Sequence, residues 1–236
     1  MKYIRSILAV FCFFIFGIGA VILNFLLFPF IKNNKDLCSD IIHNTWRFFV
    51  NLMMFLKLFR LDVKKLEKIE NKVIVSTHPS FIDIVILIAL IPRSTCFVKK
   101  GLAHNPILKN LVTSIFITNE VELDELKSES KKMLDRGFNV IIFPSGIRHR
   151  RDEFPKIRKG ASLVALNAGK NIVPVKVFSD RDFLFINQPF YAVSDRCVNF
   201  EIEQMREINI ADFIGESEII TKQRLTHKIE EELYGL

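Results

Sequence analysis

Residues 71–91 read NKVIVSTHPSFIDIVILIALI, and this stretch decides the fold. Its first third, NKVIVST (71–77), is a β-branched run bounded by polar residues, the signature of a buried strand. Its last part, SFIDIVILIALI (80–91), reads as a helix that Pro92 stops. A strand that passes through a short turn into a helix is the first half of a βα crossover. It predicts a parallel partner strand.

Outward from this unit the same pattern repeats. Strands are expected at 95–100, 114–118, 139–146, 171–178 and 196–203. Helices are expected at 105–112, 122–137, 159–169 and 221–235. Asn105 reads as a cap with Pro106 at the first helical position, and Gly137 and Gly169 read as helix ends. The expected fold class is α/β, a largely parallel sheet flanked by helices. In such sheets ligands bind where strand ends meet helix starts.

Before residue 66 the sequence changes character. Residues 7–31, ILAVFCFFIFGIGAVILNFLLFPFI, hold Asn24 as their one strongly polar side chain. From Ile7 to Phe28 a helix would be roughly 33 Å long, against a hydrocarbon core of about 30 Å. The run is long for a signal peptide, and no small-x-small cleavage site follows it. The expectation is an uncleaved membrane-embedded helix or helical hairpin. Basic residues lie on both sides, Lys2 and Arg5 before and Lys32 and Lys35 after, so charge does not orient the segment. Residues 45–66 read as a basic amphipathic helix, lying on the membrane or on the domain's own core. The expected division is therefore 1–65, N-terminal membrane-associated helices, and 66–236, the α/β domain.

The 33 Lys and Arg against 26 Asp and Glu give a formal charge of +7, which favours phosphate-bearing or acidic partners. With 23 Phe but 3 Tyr and 1 Trp, mostly in apolar runs, the aromatic usage points to core or lipid. It does not suggest a nucleic-acid face, and no nucleic acid is expected as partner. Cys12, Cys38, Cys96 and Cys197 show no metal-ligand spacing and read as reduced thiols of a cytosol-facing protein.

Two strand ends carry chemistry. The first is STHPSFID (76–83), where His78 precedes Asp83 by about one helical turn. A neutral imidazole can take a proton from a hydroxyl, and a carboxylate on its other nitrogen fixes the tautomer. Taken alone, the pair reads as well as a helix cap beside an ion pair. The second is IIFPSGIRHRR (141–151), followed by further Arg and Lys. Gly146 allows close approach of a ligand to the backbone. Arg148, nearest the strand end, is the candidate for a phosphate or carboxylate contact, and Lys99 at the end of its strand is a weaker one. Ser80 and Ser145, inside the two turns, complete the substrate-binding candidates. Parallel neighbours would bring both turns to one edge of the sheet.

HPSFID fits an H-x4-D motif, FVKKGLAHNP with SIFITN stands where a second motif belongs, FPSGIR fits F-P-E-G-T-R, and IVPVKV with Pro174 fits a fourth. In this order the four motifs resemble the glycerolipid acyltransferases, most closely the 1-acylglycerol-3-phosphate acyltransferase branch. The resemblance runs from about residue 40 to 205. It implies transfer of a fatty acyl group from acyl carrier protein or acyl-CoA to a hydroxyl of a lipid precursor. His78 would be the base and Asp83 its orienting partner, with no metal, cofactor or covalent enzyme intermediate. The place implied is a bacterial inner membrane, with the site facing the cytoplasm. The alternative is a non-catalytic relative that binds lipid or carrier protein.

Three positions depart from the family pattern: Ser145 replaces the motif's Glu, Ile147 its Thr, and Asn119 a customary Arg. A lost Arg–phosphate contact is worth about 1.5–3 kcal/mol. The run VKK…NP…IFITN is also similar to bacterial acyltransferases found with aryl polyene and related specialised lipids. The acceptor is thus expected to be either lysophosphatidic-acid-like or a specialised lipid precursor.

Overall fold

The computed structural model describes residues 2–118, 123–148, 153, 155–185, 187–215 and 217–235. Among these, seven strands form one sheet in the order β1-β7-β6-β2-β5-β3-β4. The strand expected at 71–77 is β2 (Val73–Ser76), buried throughout. It runs parallel to β5 (Asn139–Ile142) on one side and to β6 (Ile172–Ser179) on the other. β3 (Ser94–Val98) and the short β4 (Ile117–Thr118) extend the parallel part. β7 (Val198–Gln204) is the one antiparallel neighbour, paired to β6.

The helices fall close to expectation: α4 (Asp83–Leu90), α7 (Leu123–Asp135), α8 (Gly160–Ala168) and α9 (Glu218–Tyr234). α4 is apolar on every side because it lies between the sheet and a further helix, α3 (Lys35–Phe55). His43 of α3 bonds the carbonyl of Ile88 through Nδ1 at 2.7 Å.

Three expectations are corrected. The helix expected at 45–66 stops at Phe55; Lys57 turns the chain with φ 54°, and Phe59–Lys65 form strand β1, parallel to β7. Its polar residues suit a sheet edge. Arg60 donates to Asn199 Oδ1 at 3.0 Å and Lys64 to Glu201 at 2.6 Å across the ladder. The sheet therefore begins before the boundary set at 65/66. The helix expected at 105–112 is displaced to α6 (Lys109–Ile115), and a short α5 (Lys100–His104) precedes it. Asn105 is not its cap: Oδ1 accepts from Ile107 N–H at 2.9 Å in a local turn. Ser114 and Ile115 consequently belong to α6, and the strand expected at 114–118 shrinks to two residues. Asn119, Arg150 and Arg151 lie outside the described residues.

The N-terminal segment is one helical rod: α1 (Lys2–Ile22), a π-helical turn (Leu23–Leu27) and α2 (Phe28–Ile31). Pro29 has no N–H to give to the carbonyl four residues earlier, which accounts for the widened turn before it. The rod lies against α3 through Phe16–Phe49 (ring centroids 4.5 Å) and Phe16–Trp46 (6.2 Å). Trp46 in turn stacks on Phe116 beside β4.

Both ends of the rod are tied to the α/β unit by polar bonds. Arg5 donates to the carbonyls of Lys57, Leu58, Ser194 and Arg196 at 2.8–3.0 Å. Asn24, wholly buried, accepts from the N–H groups of Asn110 and Leu111 (2.8 and 3.2 Å) and donates to the Pro106 carbonyl (3.1 Å). Those two N–H groups are orphan donors of the first turn of α6. Asn24 thus caps a helix 86 residues away, which no local pattern announces. Asn24→Leu is expected to lower stability by about 2–4 kcal/mol, because buried donors lose their acceptor. Thermal unfolding in detergent reads this; an unchanged midpoint would contradict the capping role.

The opposite side of the rod is apolar and exposed. Ile4, Ile7, Phe11, Phe14, Ile18, Val21, Ile22 and Phe25 follow helical spacing along one stripe.

Candidate active site

The site begins where β2 ends. Thr77 Oγ1 donates to the Val177 carbonyl and accepts from Val177 N–H, both at 2.8 Å. This fastens the end of β2 to β6, so the next residue leaves the sheet from a fixed point. That residue is His78. Its Nδ1 lies 3.2 Å from Oδ2 of Asp83, the first residue of α4. The same Oδ2 accepts from Ser80 N–H at 2.7 Å. Asp83 is wholly buried and His78 is 18% exposed in its side chain, so the carboxylate is shielded and the ring reaches the surface.

An ionised carboxylate only accepts hydrogen bonds, so the imidazole proton belongs on Nδ1, and Nε2 is then the basic nitrogen. The turn that sets this geometry is short and internally bonded. Ser80 Oγ accepts from Ile82 N–H (3.2 Å) and donates to the Phe183 carbonyl (2.5 Å). Ser80 therefore positions the turn.

The second turn leaves from β5, next to β2 in the sheet, as the parallel arrangement predicts. Phe143 lies face to face with the His78 ring, centroids 4.0 Å apart and planes 18° apart. In the sequence Phe143 marks only the end of the expected strand and the start of FPSGIR; its place over the imidazole comes from the fold. Ser145 is buried and donates to the Ile147 carbonyl at 2.8 Å, which closes its own turn. Gly146 sits at φ 70°, a left-handed value that favours glycine. A Cβ there would lie 3.2 Å from Cζ of Arg158, so the close approach Gly146 permits is to a side chain of the protein.

Arg148 Nη1 donates to the carbonyls of Leu184 and Phe185 at 3.2 and 3.4 Å. Phe81 N–H donates to the same Leu184 carbonyl at 3.0 Å. Both turns thus grip one segment, residues 183–185, which follows β6 and is almost fully buried. Leu184 is held there at φ 55°, a conformation that costs a non-glycine residue about 1–3 kcal/mol unless its surroundings impose it. Beyond it, Gln188 folds this strap on itself: Oε1 accepts from Phe185 N–H at 3.0 Å, and Nε2 donates to the Ala192 carbonyl.

His78, Ser80, Asp83 and Arg148 are thereby joined through a common set of bonds. Among the described residues, Lys99 shares none of them; it stands exposed at the N-terminal boundary of α5. Next to the site a cavity of about 540 Å³ opens between α1 and the strap, with Phe81 and Arg148 in its lining.

The chain belongs to the Acyltransferase family, whose family model matches residues 60–177. It is 30% identical over 141 residues to the 1-acyl-sn-glycerol-3-phosphate acyltransferase of Helicobacter pylori, a match covering 52% of this chain and 60% of that one. It is 27% identical over 143 residues to the enzyme of the same name from Pseudomonas aeruginosa, covering 57% and 56%. The matches thus span little more than half of these relatives. The structure resembles that of PlsC, the 1-acyl-sn-glycerophosphate acyltransferase of Thermotoga maritima, with a TM-score of 0.71, 15% identity and full coverage of both chains. That likeness concerns the fold.

Proposed function

We propose that this protein is a membrane-bound O-acyltransferase. It moves a fatty acyl group from acyl carrier protein or acyl-CoA to the hydroxyl of a lysophosphatidic-acid-like or specialised lipid precursor. The observation that carries this reading is the His78–Asp83 pair, 3.2 Å apart, with its carboxylate fully buried and its imidazole partly exposed. The activity for which these relatives are named supports the same chemistry.

In the proposed mechanism His78 Nε2 takes the proton of the acceptor hydroxyl as its oxygen attacks the thioester carbon. Asp83 steadies the imidazolium that forms. The tetrahedral oxyanion collapses: the C–O bond stays, the C–S bond breaks, and the departing sulfur receives the proton from His78. Phe143 offers its ring face to the developing imidazolium, an interaction worth about 0.5–2 kcal/mol. Phe143→Leu is accordingly expected to lower kcat by roughly fivefold with little change in KM. A change confined to KM would contradict this role.

Arg148, in the lining beside the His–Asp turn, and the formal charge of +7 suit a phosphorylated acceptor and an acidic carrier or nucleotide donor. The proposed location is the cytoplasmic face of a bacterial inner membrane. α1 would lie along the bilayer surface, because Arg5 and Asn24, about 28 Å apart along the helix, both hold to the α/β unit. The direct test is transfer of labelled acyl groups by detergent-solubilised protein to lysophosphatidic acid. Label in phosphatidic acid is the expected result. Folded protein that moves no label from either donor to this acceptor would rule out the lysophosphatidic acid reading.

A further inference from the structure

We infer that Arg158 receives a phosphate group of a substrate, through a guanidinium held ready on Gly146 of the second turn. The inference rests on the acyl-transfer reading for the substrates it names. Four observations lead to it.

The first is how the side chain is held. A Cβ added to Gly146 would lie 3.2, 3.3 and 3.4 Å from Cζ, Nε and Nη1 of Arg158. Three nearly equal distances mean that the guanidinium lays its face on the glycine. Its N–H groups lie in its own plane and therefore point sideways, past the glycine. The backbone beneath is fixed as well. Arg158 N–H donates to the Pro144 carbonyl at 2.9 Å, and Ile157 before it is buried. An arginine ordered in this way gives up little side-chain freedom on meeting a ligand.

The second is place. Gly146 N–H donates to the Phe143 carbonyl at 2.9 Å and closes the turn. Phe143 is the residue whose ring lies 4.0 Å from that of His78. The guanidinium thus stands on the same short turn that covers the base. Gly146 and Arg158 are both exposed, so a ligand reaches them from solvent.

The third is what the neighbours have already spent. Ser145 gives its hydroxyl proton to the Ile147 carbonyl, and Arg148 gives Nη1 to the carbonyls of Leu184 and Phe185. Ile147 is exposed and offers no polar group. Among the described residues, none accepts a hydrogen bond or forms an ion pair with the guanidinium of Arg158.

The fourth is chemistry. A planar fork of N–H donors fits two oxygens of a phosphate. Both sides of the proposed reaction supply one: the head of a lysophosphatidic-acid-like acceptor, and the nucleotide or prosthetic arm of the donor. The shared chemistry is a phosphate ester close to the reacting atoms.

The test is the rate at which phenylglyoxal modifies Arg158 in the full-length protein in detergent micelles, mapped by mass spectrometry. Exposed Arg206, after β7, serves as the internal reference. Lysophosphatidic acid is compared with the monoacylglycerol of the same chain, and coenzyme A with pantetheine. One phosphorylated compound is expected to slow modification of Arg158 at least about threefold while its phosphate-free partner does not, and the pair that differs names the source. Equal rates throughout, equal protection by the phosphate-free partners, or protection shared by Arg206 would overturn the inference.

Arg158→Gln keeps a planar group on Gly146 and removes the charge. It is expected to lower kcat/KM at least about tenfold for the phosphorylated substrate of the pair that differs. Its value for the phosphate-free partner (monoacylglycerol, or the acyl thioester of pantetheine) and the unfolding midpoint should hold. The same loss on both partners would make Arg158 a clamp of the turn and overturn the contact. The footprint also separates this inference from the reading beneath it. Protection in a wild-type protein that transfers no acyl group would leave the contact standing and remove the acyl transfer; transfer without protection would do the reverse.

Discussion

His78→Ala is expected to lower kcat/KM for acyl transfer by roughly 10²–10⁴-fold, the usual contribution of a positioned base. The loss should appear in kcat, with KM nearly unchanged, because the imidazole acts on a proton in flight and adds little to ground-state binding. Asp83→Asn separates the proposed chemistry from the plain alternative. If Asp83 served only to hold the turn before α4, an amide oxygen in the place of Oδ2 would still accept from Ser80 N–H, and both stability and rate would survive. If it balances an imidazolium, a neutral amide fails at that task, and the rate should fall about 100-fold or more while the unfolding midpoint moves little. A His78→Ala protein with undiminished transfer would remove the base from the mechanism. Full complementation of a deletion by the same variant would favour the non-catalytic, lipid- or carrier-binding relative.

The His–Asp pair was legible because it is local. Four residues separate its members, and a strand–turn–helix of that length has few ways to place them. The second turn was legible for a related reason: parallel β2 and β5 are neighbours, so their ends meet. What stayed hidden was tertiary. FRLDVKK (59–65) has basic residues at spacings a helix also uses, and only its pairing with β7 at the sheet edge makes it a strand. α6 starts three residues later than its Asn-Pro signal suggests, because the cap comes from Asn24 in another part of the chain. Arg148 reads as a ligand contact, and it also holds the carbonyls of a strap that no motif marks. Phe143 reads as the end of a strand, and the fold lays it over the imidazole. In each case the sequence carries the residue but not the partner that gives it a role.

The N-terminal rod gives the second large effect. Ile7→Glu combined with Ile18→Glu is expected to abolish binding to lipid vesicles while leaving the fold intact. Both side chains point away from the α/β unit, 68% and 45% exposed, so neither change disturbs packing. Each removes apolar burial in lipid worth about 1.5–3 kcal/mol. Each also adds a charge, which is costly within the hydrocarbon region. Together these reach roughly 3–6 kcal/mol before the charge penalty, enough to shift partitioning by at least about 100-fold. Orientation follows from the same geometry. A helix bonded to one folded unit through Arg5 at one end and Asn24 at the other cannot cross a bilayer of about 30 Å unless that unit enters the hydrocarbon with it. Cysteines introduced at Tyr3 and at Asn33, in protein whose Cys197 is replaced by Ser, should therefore both react with an impermeant maleimide added outside reconstituted vesicles. Molecules inserted with the α/β unit outward would show both labels together. Labelling of one position with protection of the other would mean that the rod spans the membrane, and that the bonds of Arg5 or Asn24 open when it does.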